Sequence, residues 1–226
     1  MLDANLKNQL KTILTEKVTE DVVLASSLDD SKKSAEMAEL LDQIAELSDR
    51  VTHERRDDYD ERRPSFAIER PGADISIRFA GLPLGHEFSS LVLALAQVGG
   101  NPVKESEETI AAVKGLDKDL KFVTYMSLTC QNCPTVVQAL NTMAVLNPRI
   151  EHVAVEGSTF QDEVSEKNIQ AVPTIYLNGE EWGSGRMDIA DFVDRLDDSA
   201  ADRLAESVKD KDPFDVLVVG GGSAAV

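Results

Sequence analysis

Cys130-Gln131-Asn132-Cys133-Pro134 is the stretch from which the rest of the chain is read. These are the only two Cys in 226 residues, and they stand three positions apart, a spacing that chance rarely produces. Lys121–Tyr125 just before them reads as a strand. Val136, Val137, Leu140, Met143 and Leu146 after them fall at helical spacing. A thiol at the junction of strand and helix meets the free N–H groups and positive end of the helix dipole, which stabilise a thiolate on the first Cys. The second Cys, one turn on, can attack a mixed disulfide formed by the first. Pro134 suits the first turn, where no intrahelical N–H bond is lost. Two other readings stand beside this one. The pair could be half of a structural zinc site, although zinc wants four ligands and His53, His86 and His152 are scattered. It could also be an inert buried pair.

Outward from this stretch, the second half of the chain alternates strands and helices. Glu105–Val113 is predicted helical. His152–Val155 reads as a strand, with His152 an ordinary strand residue, and Thr159–Asn168 as a helix. Pro173–Leu177 is a strand turning at Asn178-Gly179 into a return strand at Glu181-Trp182-Gly183, with Trp182 a packing residue, and Asp188–Leu196 closes as a helix. The first half follows a similar plan. An amphipathic helix carries Leu2, Leu6, Leu10, Ile13 and Leu14. A strand covers Val22–Ala25, and a helix starting at Ser31 or Ser34 runs through Leu47. Strands follow at Pro64–Ile68 and Ile75–Phe79, split by Pro71-Gly72, and a helix at Leu84–Val98 stops at Gly99-Gly100. The charged stretch Asp49–Arg63 reads as a solvated loop after a short strand.

The halves overlay. Ser27-Leu28-Asp29-Asp30-Ser31-Lys32-Lys33-Ser34 lies over Ser127–Pro134, so Asp30 and Lys33 stand where the thiols would be. Pro64–Ile68 lies over Pro173–Leu177, with one extra helix in the second half. Internal duplication explains this, though β-α-β units share patterns by chance as well. Glu87, in Gly85-His86-Glu87-Phe88, has two readings. It is either a first-turn carboxylate favoured by the helix dipole, or an acid from the first half set against the Cys pair to move protons.

Composition sets the outer limits. An apolar fraction of 42% with 28% charged residues is ordinary for a folded protein of one large or two small domains. With 23 Lys and Arg against 41 Asp and Glu, the net charge of −18 disfavours nucleic acid and anionic membrane as partners. The longest strongly apolar run, Leu91–Ala96, is far short of the roughly 20 residues that span a bilayer. The N-terminus lacks the pattern of a signal peptide, so the expectation is a soluble cytoplasmic protein. Ser199–Asp212 reads as a polar linker. Phe214–Val219 then runs as a buried strand into Gly220-Gly221-Gly222-Ser223-Ala224-Ala225, the opening of a dinucleotide-binding unit that is expected to be cut short here.

A strand, Cys-x-x-Cys and helix paired with a distal Val172-Pro173-Thr174 resembles the thioredoxin fold, which implies that Pro173 is cis and faces the disulfide. Arg78–Gly100 (RFAGLPLGHEFSSLVLALAQVGG), Cys130–Ile150 (CQNCPTVVQALNTMAVLNPRI) and Ala171-Val172-Pro173-Thr174 are similar to the N-terminal portion of the flavoprotein (F) subunit family of bacterial alkyl hydroperoxide reductases. That family has Gly-x-Gly-Pro-Ala-Gly where this chain has Gly220–Ala225. The implied architecture is α/β, two tandem thioredoxin-like units, each a central mixed sheet flanked by helices. Residues 1–101 would be a unit without Cys and 102–197 the unit with the Cys pair. A linker at 198–212 and the start of a truncated flavin-binding domain at 213–226 would follow. The implied function is a thiol-disulfide oxidoreductase module passing electrons from a flavoprotein dithiol to a two-Cys peroxiredoxin, with Cys130, Cys133, Pro173 and Glu87 as site residues. FAD and NADH are implied only for a longer, homodimeric parent, through Gly220 and Gly222 and the downstream flavin domain, with no cofactor on this chain itself. The rival reading is a free-standing glutaredoxin-like reductase with broad clients.

Overall fold

The computed structural model describes residues 2–57 and 61–196. Its centre is one eight-stranded mixed sheet. In the first half, β1 (Val22–Ser27) and β2 (Val51–Arg55) run parallel and are joined across α2 (Lys32–Ala45). β3 (Ser65–Glu69) lies antiparallel to β1, and β4 (Ser76–Ala80) antiparallel to β3. In the second half, β5 (Leu120–Met126) and β6 (Ile150–Glu156) are parallel across α5 (Cys133–Leu146), and β7 (Thr174–Leu177) and β8 (Glu180–Ser184) complete the antiparallel pairs. Each half therefore stacks its strands in the same order, second, first, third, fourth. The two sets are sewn together where β4 pairs in parallel with β6, Ser76 opposite Glu151 through Ala80 opposite Val155. The result is the mixed sheet with flanking helices that two thioredoxin-like units imply.

Strand alternation sorts side chains onto two faces. Leu24, Phe66, Phe79, Ala154, Phe122 and Ile175 share one face and form the main core with α2, α5, α1 (Ala4–Lys17) and α3 (Phe88–Val98). α4 (Glu107–Gly115) and α7 (Ile189–Leu196) pack beside α5. The opposite face carries a smaller core of Ala80, Tyr125, Val155 and Tyr176 under α6 (Gln161–Glu166). Local chemistry fixes the helix starts. Asp3, Ser31 and Ser106 cap α1, α2 and α4 by accepting backbone N–H bonds. α3 lies along α5, where Thr142 Oγ1 donates to Gln97 Oε1 at 3.1 Å.

Three sequence readings are corrected. The charged stretch after Asp49 is not a solvated loop throughout: Val51–Arg55 is edge strand β2, and Arg62 is buried. The helix placed at Thr159–Asn168 is confined to Gln161–Glu166, preceded by Phe160 in a non-helical conformation. The loop before α2 is shorter than the loop before α5, so the two helix starts match Lys32, rather than Lys33, to Cys133; neither first-half residue is a thiol. The linker and the Gly220–Ala225 turn lie outside the described residues. Among the described residues no helix is long and apolar enough to cross a membrane.

A fragment beginning at Pro102 would bare the β6 edge and the side of α5 that α3 covers. Its urea midpoint, followed by circular dichroism, is expected to fall well below that of the whole chain, because domain stability is only about 5–15 kcal/mol in total. Equal midpoints would contradict this.

Candidate functional site

β5 delivers the chain to a loop, Ser127–Asn132, from which α5 starts at Cys133 with Pro134 in its first turn. Cys130 and Cys133 are disulfide-bonded, with Cα atoms 5.5 Å apart. The two sulfurs live in different surroundings. Cys133 is 0% exposed within the main core, whereas Cys130 is partly exposed. The Cys133 N–H donates to Cys130 Sγ at 3.1 Å, so the first backbone donor of α5 favours negative charge on that sulfur. Across the site, the Val172–Pro173 peptide bond is cis, and Cys130 Sγ lies 3.7 Å from Val172 O. Pro173 is buried, while Val172 is 37% exposed, an apolar side chain left facing water beside the disulfide. Thr129, Gln131 and Asn132 are exposed around it.

The first half reaches the same place. Gly85–Glu87 forms a short 3-10 turn leading into α3, and the His86 N–H donates to Leu128 O at 3.0 Å, in the loop that carries Cys130. Gly85 has φ +57°, and a Cβ there would stand 2.6 Å from Leu128 O, so only glycine allows the turn to close on the loop. Glu87 is 0% exposed, and neither carboxyl oxygen has a hydrogen-bond partner among the described residues. Burial drives its pKa up to about 7, against a smaller opposing effect of the Ser90 hydroxyl.

His152 is fully buried on β6. Nδ1 lies 2.7 Å from Asn141 Oδ1 on α5, and Nε2 lies 3.0 Å from Thr124 Oγ1 on β5. Desolvation lowers its pKa to about 3, so it stays neutral and ties the Cys-bearing helix to the sheet. Trp182 stacks on Phe192 and meets Phe122 edge-on, a packing role. At the start of α2, Lys33 Nζ donates to Thr159 Oγ1 at 2.9 Å and stands 3.8 Å from Glu156, whose side chain is nearly buried. Burial acts to raise the Glu156 carboxyl, but hydrogen bonds from Ser158 and Thr159 and the Lys33 charge outweigh it and hold it low. Among the described residues no group of three or more His, Cys, Asp or Glu is arranged to hold a metal ion. Gly220 and Gly222 lie outside the described residues.

Sequence reasoning singled out Cys130, Cys133, Pro173 and Glu87; the structure brings the first three together and sets the turn bearing Glu87 on their loop. It missed Gly85, whose only signal was a glycine ahead of the helix, and Arg62, hidden in a charged run.

Known proteins share this geometry and the residues that build it. A Thioredoxin domain family model matches residues 121–197. The alkyl hydroperoxide reductase F subunit of Pseudomonas putida is 57% identical over 224 residues, covering 99% of this chain but 43% of that protein. A protein named NADH dehydrogenase from Ferdinandcohnia aciditolerans is 49% identical over 99% of this chain and 42% of its own length. The chain thus spans less than half the length of these relatives. The crystal structure of the NTD_N/C domain of alkylhydroperoxide reductase AhpF from Enterococcus faecalis superposes with a TM-score of 0.79 at 30% identity, over 87% of this chain and all of that one. With the whole of that domain matched in fold and sequence, the chain belongs to the family of the N-terminal domain of AhpF, the F subunit of alkyl hydroperoxide reductase.

Proposed function

We propose that this chain is the disulfide-exchange module of a longer peroxide-reducing flavoprotein, taking two electrons from a flavin-bearing domain's dithiol and passing them to the disulfide of a two-Cys peroxiredoxin. The observation that carries this reading is the unequal exposure of the two sulfurs: a client can reach Cys130, whereas Cys133 is sealed in the core. The Cys130 thiolate attacks one sulfur of the client disulfide, forming a mixed disulfide and releasing one client thiolate. Cys133, after losing its proton, attacks Cys130 Sγ; the Cys130–Cys133 bond forms and the second client thiolate leaves. Two electrons pass to the client, whose two thiolates take up protons, and this chain is left oxidised. Pro173 shapes the wall on which the client backbone lies, beside Val172. Glu87, poised near neutrality, exchanges a proton as Cys133 becomes the nucleophile.

The domain division follows the same reading. Residues 1–101 form the unit without Cys, 102–197 the exchanging unit, 198–212 a linker and 213–226 the start of the flavin-binding domain. The equal strand orders support the first two and the sequence pattern the others. FAD and NADH belong to the parent, a reading supported by the relative named NADH dehydrogenase. The family resemblance also supports a cytoplasmic, homodimeric parent.

Cys133→Ser is expected to accumulate a mixed disulfide with oxidised peroxiredoxin through Cys130, seen as a shifted band on non-reducing electrophoresis. Cys130→Ser should fall to the background rate. Trapping through Cys133 would contradict the assignment, and equal rates on peroxiredoxin and on unrelated disulfides would favour a broad-client reductase.

Glu87 gives a pH-dependent expectation. Its folded pKa is raised from 4.5 to about 7, so the folded state holds a proton that the unfolded chain releases. Stability is full below about pH 4.5 and falls as pH rises to about 7, by roughly 3 kcal/mol at about 1.4 kcal/mol per unit of pKa. Glu87→Gln should therefore match the wild-type urea midpoint at low pH, exceed it near pH 8, and flatten the pH profile of exchange near neutrality. A stability difference independent of pH would rule this out.

A further inference from the structure

The link between the halves extends beyond the sheet. Arg62 comes from the segment just before Pro64, at the start of β3. That segment is the first half's counterpart of the one before Pro173: Ser65 stands opposite Ser27 in one half as Thr174 stands opposite Tyr125 in the other. Its guanidinium crosses to the second half, where Nε donates to Glu163 Oε2 at 2.9 Å and Nη2 to Oε1 at 2.6 Å. Arg62 is 8% exposed and the Glu163 side chain 23%. Tyr125 OH donates to the same Glu163 carboxylate. Burial acts to raise the Glu163 carboxyl, but the bonds from Arg62 and Tyr125 outweigh it and keep it ionised.

Glu163 sits on α6, a helix with little of its own to stand on. It has six residues, none buried, and no side-chain N-cap. So short a helix is unstable in isolation and must be held by its surroundings. Phe160, Val164 and Ile169 rest on Tyr125, Val155 and Tyr176, and the forked Arg62–Glu163 pair fixes the helix laterally. From α6 the chain turns through Asn168 at φ 51°, with the Ile169 N–H donating to Val164 O at 3.0 Å, and runs on to Val172 and Pro173 beside Cys130.

We propose that Arg62, on the half that has no Cys, is a positioning residue for disulfide exchange on the other half: through Glu163 it holds α6 and the Ile169–Pro173 segment on which the client of Cys130 docks. This rests on the reading of Cys130 as the exchanging thiol. Removing the guanidinium leaves a largely buried carboxylate without its partner and frees the segment. Lysine keeps the charge but cannot fork, so it restores the hold only in part.

The test compares wild type with Arg62→Met and Arg62→Lys in the whole chain. Three readouts are KM and kcat with oxidised two-Cys peroxiredoxin, the rate with the small disulfide 5,5′-dithiobis(2-nitrobenzoate), and hydrogen–deuterium exchange at Ile169–Val172 and in β5. For Arg62→Met, KM for the protein disulfide should rise about ten-fold, the scale of a small misplacement of a docking surface, with kcat and the small-disulfide rate within about two-fold. Exchange should quicken at Ile169 but not in β5, and Arg62→Lys should fall between. An unchanged KM, an equal loss on both disulfides, or unchanged exchange at Ile169 overturns the proposal. If wild type itself ignores the peroxiredoxin, the functional reading fails, and the clamp is judged on exchange at Ile169 alone.

Discussion

The parallel pairing of Ser76–Ala80 with Glu151–Val155 is the contact on which the remaining architecture depends. Two four-stranded units that each could have ended in an open edge instead share one ladder, so neither exposes its inner strand to other chains. The pairing sets the register between the halves and with it the helix layer. α3 of the first half comes to lie along α5, the helix that carries Cys133, and the 3-10 turn ahead of α3 lands on the loop that carries Cys130. On the other face the same register brings the start of β3 within reach of α6, which allows Arg62 to grip Glu163.

The half without Cys is therefore more than a remnant. Where its sister has a disulfide, it has Lys33 tied to Thr159 and Glu156 on the loop after β6. That arrangement has no redox chemistry but binds the two units at the C-terminal ends of their strands. Its other contribution is Glu87, a carboxyl buried without a partner beside the exchanging loop. An isolated carboxylate out of water is costly, and the group meets this by keeping its proton to near neutral pH. A site that must deprotonate a buried thiol and then hold a disulfide gains from a neighbour whose charge follows the local demand.

Much of this was legible in the residues. The Cys pair between a strand and a helical run, Asn178-Gly179 at a hairpin, and the match of Pro64–Ile68 to Pro173–Leu177 all rest on local chemistry, and all keep their meaning in the folded chain. What escaped were contacts set by the register between halves. Arg62 sits in a run of like residues that water usually covers, and its partner is 101 positions away. Val51–Arg55 alternates weakly because it is an edge strand with one face largely wet. Gly85 looks like any glycine before a helix until Leu128 O is found against it. Glu87 could be named from its place in the sequence, but its burial depends on a loop from the other half.

The central claim is that Cys130 and Cys133 exchange disulfides with a protein client on a surface held by both halves. Its most direct measurement mixes the reduced chain with oxidised two-Cys peroxiredoxin in equimolar amounts and follows thiols on each partner by rapid quench and mass spectrometry. The account predicts that the chain loses two thiols as the peroxiredoxin gains two, much faster than an equal concentration of dithiothreitol achieves. A rate no faster than dithiothreitol's would contradict it.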